Sequence, residues 1–246
     1  MVRINVHNHY HKLPIIASVA WYVTLLVLLI VWLASGRPKY PSQDGSIAYI
    51  SDVGASYMKP FFIVGTCITA VSFVLTLASE RLLQHAHRLL PTQRRSETIL
   101  SYCSIAGSII AGAGLILLSI FDTKRYTSLH RVFLLVFMLG VILSALFTVV
   151  EFRLLSHTYA SYNKLRRSYI AKGIIAAILI CLGVAFGILL FGDSEALIDA
   201  GAILEWVIGF GFTAYLLVFF YDLRLAAPRH QKSQALKNME AGQWRV

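Results

Sequence analysis

Charge is scarce in this 246-residue chain. Only 14% of residues are Asp, Glu, Lys or Arg, and the acids, 12 in all, are outnumbered by 22 Lys and Arg. So little charge excludes a large soluble catalytic domain, because 57% of the residues are hydrophobic and must be buried in something. There are three cysteines, Cys67, Cys103 and Cys181, and all fall inside apolar runs with no C-x-x-C or metal-type Cys/His spacing. That excludes a disulfide framework, and the cysteines read as small buried hydrophobes. Of six prolines none is central to an apolar run; Pro14 and Pro60 sit at run starts, where proline is tolerated. A transporter built on broken helices would need such central breaks. The repeated polar filter of a channel, an N-x-S/T acceptor, a G-x-S-x-G elbow and an H-E-x-x-H zinc motif are missing as well.

What is present is a series of long apolar runs. No charge occurs between Lys12 and Arg37, or from Phe61 to Ser79, Thr98 to Phe121, Val132 to Val150 and Gly173 to Gly192. A sixth run, Ala200 to Tyr221, holds one acid, Glu205. A helix crossing the hydrocarbon core needs about 20 apolar residues. The expectation is an all-α transmembrane bundle with spans at 13–34, 60–80, 98–121, 130–152, 171–191 and 200–221. Residues 222–246 would form a basic, disordered tail. Ala34-Ser35-Gly36 imitates a cleavage site, but the run before it is longer than a signal-peptide core and reads as a retained anchor.

The connecting segments alternate in charge. Residues 1–12, 81–97, 153–170 and 222–246 are basic, whereas 35–59, 122–129 and 192–199 hold half of all acids. The positive-inside rule then puts both termini in the cytosol. The net charge of +10 therefore reads as a topology signal, and no nucleic-acid partner is expected. Arg81, Arg88, Arg94, Arg95, Lys164, Arg166 and Arg167 become candidate contacts for anionic lipid on the cytosolic face. Leu82, Leu83, Ala86, Leu89 and Leu90 continue a helical pattern there until Pro91, either as an amphipathic segment or as an ordinary topogenic loop.

Small residues recur at spacing four: Gly107 with Ala111, Ser108 with Gly112, Gly183 with Gly187, Gly209 with Thr213. Such pairs let helix backbones approach closely in lipid, and packing within the chain is the expected use. Glu151 with Arg153 and Asp222 with Arg224 sit at helix ends, where local pairing or snorkelling is expected.

The polar groups at the non-cytosolic face are the candidate site. Glu205 enters its span about one turn from the end, followed by Trp206. Ser51 and Asp52 precede the second span, Asp122 ends the third and His130 opens the fourth. Ionisable groups at such depth usually face the protein interior. Together they offer a pocket for a lipid headgroup or an ion, an acid–base arrangement with His130, Glu205 and Asp122 as its members, or structural ties between a loop and helix ends. No cofactor and no metal ligand set is assigned. The loop at 35–59 is either functional or a passive lid.

At these residues the chain resembles the Frag/DRAM/Sfk family. Tyr49-Ile50-Ser51-Asp52-Val53-Gly54 is similar to that family's Y-I-S-D-x-G signature, and the likeness continues at Phe121-Asp122, His130, Glu205-Trp206 and Phe219-Phe220-Tyr221-Asp222. It departs from the autophagy-modulator branch at Ala55-Ser56-Tyr57-Met58-Lys59-Pro60, where a Pro-Glu would follow the glycine, and from the Sfk branch by its short tail. The resemblance implies six spans, cytosolic termini and a role tied to membrane lipids and trafficking. It also implies membrane lipids as partners, together with a cytosolic lipid kinase or trafficking factor. By branch, the location would be the plasma membrane or an endosomal or vacuolar membrane, or else Golgi or ER for a branch that remodels GPI-anchor lipid. The reading is a protein that regulates or organises lipids without chemistry of its own; the alternative is a GPI-lipid remodelling enzyme or factor.

Overall fold

The computed structural model describes residues 10–86, 89, 94–158 and 163–225. The elements are α1 (Leu13–Ala34), α2 (Ile50–Gly54), α3 (Lys59–His85), α4 (Arg95–Ile120), α5 (Thr127–Thr158), α6 (Asn163–Leu189) and α7 (Glu195–Leu225). All but α2 are long and apolar enough to cross a membrane, and they bear out the six expected spans. Pro14 and Pro60 each occupy the first turn of their helix, where no intrahelical N–H is lost.

The helices run beyond the expected spans. The basic segments contribute helix ends: α3 reaches His85, the first part of the helical continuation expected up to Pro91, α4 begins at Arg95, α5 reaches Thr158 and α6 begins at Asn163. Arg, Lys and Leu are good helix formers, so the helix outlasts the apolar slab. The last helix likewise passes 221 and reaches Leu225. Leu83 and Gln84 are buried in the bundle, so this end of α3 is part of the core.

Each long helix packs on its chain neighbours, and α7 returns to α1, which closes a ring of six in sequence order. Phe212 on α7 fills the centre. Its ring meets Trp21 of α1, Phe73 of α3 and Phe137 of α5 at centroid distances of 6.4, 5.8 and 5.6 Å, all edge-on. Such aromatic pairs add roughly 0.5–1.5 kcal/mol each beyond area burial. The outer faces are apolar stripes at helical spacing, such as Val64, Ile68, Val71 and Leu75 on α3 and Leu135, Leu139, Leu143 and Leu146 on α5. Those stripes are the surface that lipid covers.

The small residues work as expected for α4. A Cβ on Gly107 would lie 2.7 Å from the Ser144 nitrogen, one on Gly114 2.6 Å from that of Phe137, and one on Gly140 2.4 Å from that of Ala111. The backbones of α4 and α5 therefore touch along a seam that admits no side chain. Beside it, the Ser104 and Thr148 hydroxyls sit 2.6 Å apart and bridge the same two helices. Gly112 faces Ala70 on α3 instead.

Candidate functional site

The loop from Ser35 to Tyr49 leaves α1 through Gly36 and Arg37, both at positive φ (79° and 56°), and then lies down on α7. Gly36 takes that conformation freely; Arg37 is the rarer case. Four ties fasten the loop. The Ser46 and Ile47 N–H groups donate to Asp199 at 2.7 and 2.9 Å, and the Ser46 hydroxyl bonds the other carboxylate oxygen. The Tyr49 hydroxyl donates to the Ile198 carbonyl at 2.9 Å. The Trp206 indole N–H donates to the Ala48 carbonyl at 2.9 Å. Finally, the Ile50 N–H donates to Glu205 at 2.6 Å. The expected loop is thus an ordered cap, stapled to the start of the last helix.

Asp52 holds the cap together from within. It accepts the Tyr49 N–H at 3.0 Å and the Ser42 hydroxyl at 2.6 Å, and its side chain is buried. Burial pushes the Asp52 carboxyl above its ordinary range, offset in part by the Ser42 hydroxyl and the Tyr49 N–H. Tyr49 is pushed up to about 12 by burial and by the carboxylates of Glu205 and Asp52.

Asp122 and His130 sit across the ring at the same end. Asp122 pairs with the Lys59 ammonium and accepts the Arg125 N–H at 2.8 Å, which closes the α4–α5 turn. Burial alone would raise the Asp122 carboxyl, but Lys59 and Arg125 outweigh it and hold it below the ordinary range. His130 Nδ1 lies 2.8 Å from the Leu118 carbonyl and 3.0 Å from that of Phe121. Two acceptors there select the Nδ1-protonated form, which donates to the exposed carbonyls at the α4 terminus.

Asp52, Asp122, His130 and Glu205 therefore share one end of the bundle. Asp52 is in electrostatic reach of both His130 and Glu205, and Asp122 of His130. Their hydrogen bonds, however, run to different neighbours: loop, turn, helix terminus and α2. Trp206 spends its N–H on Ala48 and stacks its ring on Phe210. The Lys59 partner was not legible in the sequence, since nothing local joins it to Asp122.

Ser51 and Glu205 also line one end of an apolar space. The same apolar space is lined by Phe62, Leu118 and Phe186. Trp21, Phe137 and Met138 also line a second apolar space between α5, α6 and α7, with Tyr215 among its lining residues. Away from Ser51 and Glu205 the lining of this groove is mostly hydrocarbon and aromatic.

On the opposite end the basic residues are unlike one another. Arg94 and Arg95 are exposed. Arg81 stacks on the Tyr102 ring at 5.2 Å and faces Gln84 and Thr98. Arg88 lies outside the described residues, as do the side chains of Lys164, Arg166 and Arg167.

That end also holds a feature the sequence reading missed. Lys172 on α6 is fully buried, 2.7 Å from Asp222 on α7 and 4.0 Å from Glu80 on α3. Its ammonium lies 3.9 and 4.1 Å from the ring centroids of Phe152 and Phe219. Glu151 on α5 accepts from the Gln84 side chain at 3.0 Å. Of the two expectations for Glu151 with Arg153 and Asp222 with Arg224, local pairing gives way to snorkelling. Both arginines are exposed while both acids are buried, because only the longer side chain can snorkel. The available signal was a shared depth of charges on several helices, the argument already used at the other end.

Comparison with known proteins agrees with this architecture. The family profile described as the Frag1/DRAM/Sfk1/Cwh43P N-terminal domain matches residues 9–226. Protein sfk1 of Schizosaccharomyces pombe is 30% identical over 227 residues, covering 89% of this chain and 67% of that protein. Protein SFK1 of Saccharomyces cerevisiae is 26% identical over 181 residues, covering 62% of this chain and 51% of that protein. The chain thus spans about half to two thirds of the length of these relatives. No solved structure matches it. A ring of six spans with a Y-I-S-D-x-G cap, matched by the profile over nearly its whole length, makes this chain a member of the Frag1/DRAM/Sfk1/Cwh43P family of integral membrane proteins.

Proposed function

We propose that the chain organises or regulates membrane lipids by holding a lipid, with its headgroup at Ser51 and Glu205 and an acyl chain in the groove below. The observation that carries this reading is the groove itself: a mostly apolar path between α5, α6 and α7 with Ser51 and Glu205 at one end. Binding sites of this kind place a few polar groups at one end of an apolar space and fix the ligand's orientation. The cap over that end is fastened to α7 at several points, so it forms a rigid roof over the headgroup position. The charge alternation puts both termini in the cytosol and that end on the opposite face. The exposed Arg94 and Arg95 then suit anionic lipid or an acidic cytosolic partner, such as a lipid kinase or trafficking factor. The proposed location is the plasma membrane or an endosomal or vacuolar membrane, with Golgi or ER as the alternative.

The GPI-lipid remodelling enzyme is less well supported. Asp122 is held by Lys59, and His130 Nδ1 serves two carbonyls. Lipid analysis of the purified chain by mass spectrometry tests the proposal, with Met138→Trp to fill the groove. A lipid retained by the parent chain and depleted in the variant is expected. The same lipid complement in both would overturn the groove as a binding site.

A further inference from the structure

The buried cluster at the opposite end faces a charge imbalance. Three carboxylates, those of Glu80, Asp222 and Glu151, surround the single ammonium of Lys172 from α3, α7 and α5. Arg81 on α3 and Glu97 on α4 reach Glu151 electrostatically, and Tyr215 on α7 reaches Glu80. Glu97 and Arg81 bring opposite charges, so neither relieves the imbalance when taken together. Leaving several ionised acids in a membrane interior with one cation is costly enough that one of them is neutralised instead.

The three acids are not equally provided for. Asp222 has the close contact with Lys172, at 2.7 Å. Glu151 has the Gln84 side-chain N–H and the nearby Arg81. Glu80 is left with a lysine at 4.0 Å; its Oε1, Lys172 Nζ and Asp222 Oδ2 are all buried without a well-formed hydrogen bond, so distance to the ammonium is what sets Glu80 apart from Asp222. The Tyr215 hydroxyl is likewise buried and unpartnered. A metal ion does not suit this place. The Lys172 ammonium already occupies the centre between the faces of Phe152 and Phe219, and it would repel a second cation. Among the described residues no group of His, Cys, Asp and Glu is placed to hold a metal. A proton requires neither space nor a ligand shell.

We propose that the Glu80–Lys172–Asp222 cluster is a proton-binding site in which Glu80 carries the proton at neutral pH and Lys172 and Asp222 form a neutral pair beside it. The proton then couples α3 to α6 and α7 across the ring. Its loss would leave an unbalanced negative charge buried between α3, α6 and α7, beside the apolar packing of Leu83 on Leu223.

Infrared spectroscopy of the full chain in bilayers tests this through the C=O band of protonated carboxyls. Subtracting the Glu80→Gln spectrum from that of the parent cancels every other carboxyl. A protonated-carboxyl component is expected in that difference at neutral pH, with loss of the component on raising the pH. Asp222→Asn is the second variant and does not depend on the first one folding. It leaves Lys172 with Glu80 as its partner, which ionises Glu80 and abolishes the component; Glu151→Gln retains it. A difference spectrum without the component, or a component that survives Asp222→Asn, would overturn the proposal.

Discussion

Glu205 accepts the Ile50 amide N–H at 2.6 Å from 155 residues away along the chain. The contact caps the first turn of α2 and ties the cap to the last helix, so one carboxylate serves as helix cap, loop anchor and part of the groove lining. These roles separate by substitution. Glu205→Gln keeps an oxygen acceptor for Ile50, so the melting temperature should hold, while lipid retention falls if a headgroup reads the charge. Glu205→Leu removes the acceptor and leaves a buried N–H unpaired, at a cost of about 1–3 kcal/mol. Thermal melting and lipid mass spectrometry on both variants check this. A Gln variant with full lipid retention leaves Glu205 as a tie alone.

The α4–α5 seam predicts a steep size limit. Gly140→Leu should cost about 1–3 kcal/mol or more, because the new side chain meets the Ala111 backbone rather than a flexible neighbour. Gly187→Ala is the control, since a Cβ there meets nothing within 4 Å, and its effect should stay within about 0.5 kcal/mol. Melting temperatures in one detergent compare them.

Two carboxylates near the cap give opposite pH slopes. Asp122 is held below its ordinary range, so it contributes stability above the ordinary carboxylate value and loses it as pH falls through the lowered folded value. Asp52 is held above its ordinary range, so its ionisation subtracts stability as pH rises from the ordinary value through the raised folded one. Asp122→Asn should lower stability at neutral pH and flatten the acid limb. Asp52→Asn should flatten the opposing slope. Melting curves across the acidic range measure both.

The charge alternation predicts both termini on the cytosolic side. Tags at each end of the chain, in sealed vesicles with the cytosolic face outward, should both be cut by added protease. Protection of either one reverses or breaks the assignment.

Much of this structure was legible because its causes are local. Each apolar run, each starting proline and the Gly107–Ala111 spacing states its purpose within a few residues. The depth of Glu205, Asp52, Asp122 and His130 was also readable, and it placed them at one end. What was not readable is who meets whom. Asp199 with Ser46 and Lys59 with Asp122 are joined only by the ring. Lys172 was missed for another reason: Arg153 and Arg224 offered nearer partners for the buried acids, and side-chain reach rather than sequence distance decided between them.

The staples of the cap also set an order of assembly. The loop that follows α1 is the first to emerge, yet Asp199, Glu205 and Trp206, which fasten it, are made last. The Trp21 indole waits as well, since its N–H donates to the Gly209 carbonyl at 2.8 Å. During synthesis the earlier spans therefore form an open crescent, with an untethered loop and a flank exposed to lipid. Only arrival of the final helix locks the structure, so a chain stopped before residue 195 would present the quality-control machinery with a recognisable unfinished edge.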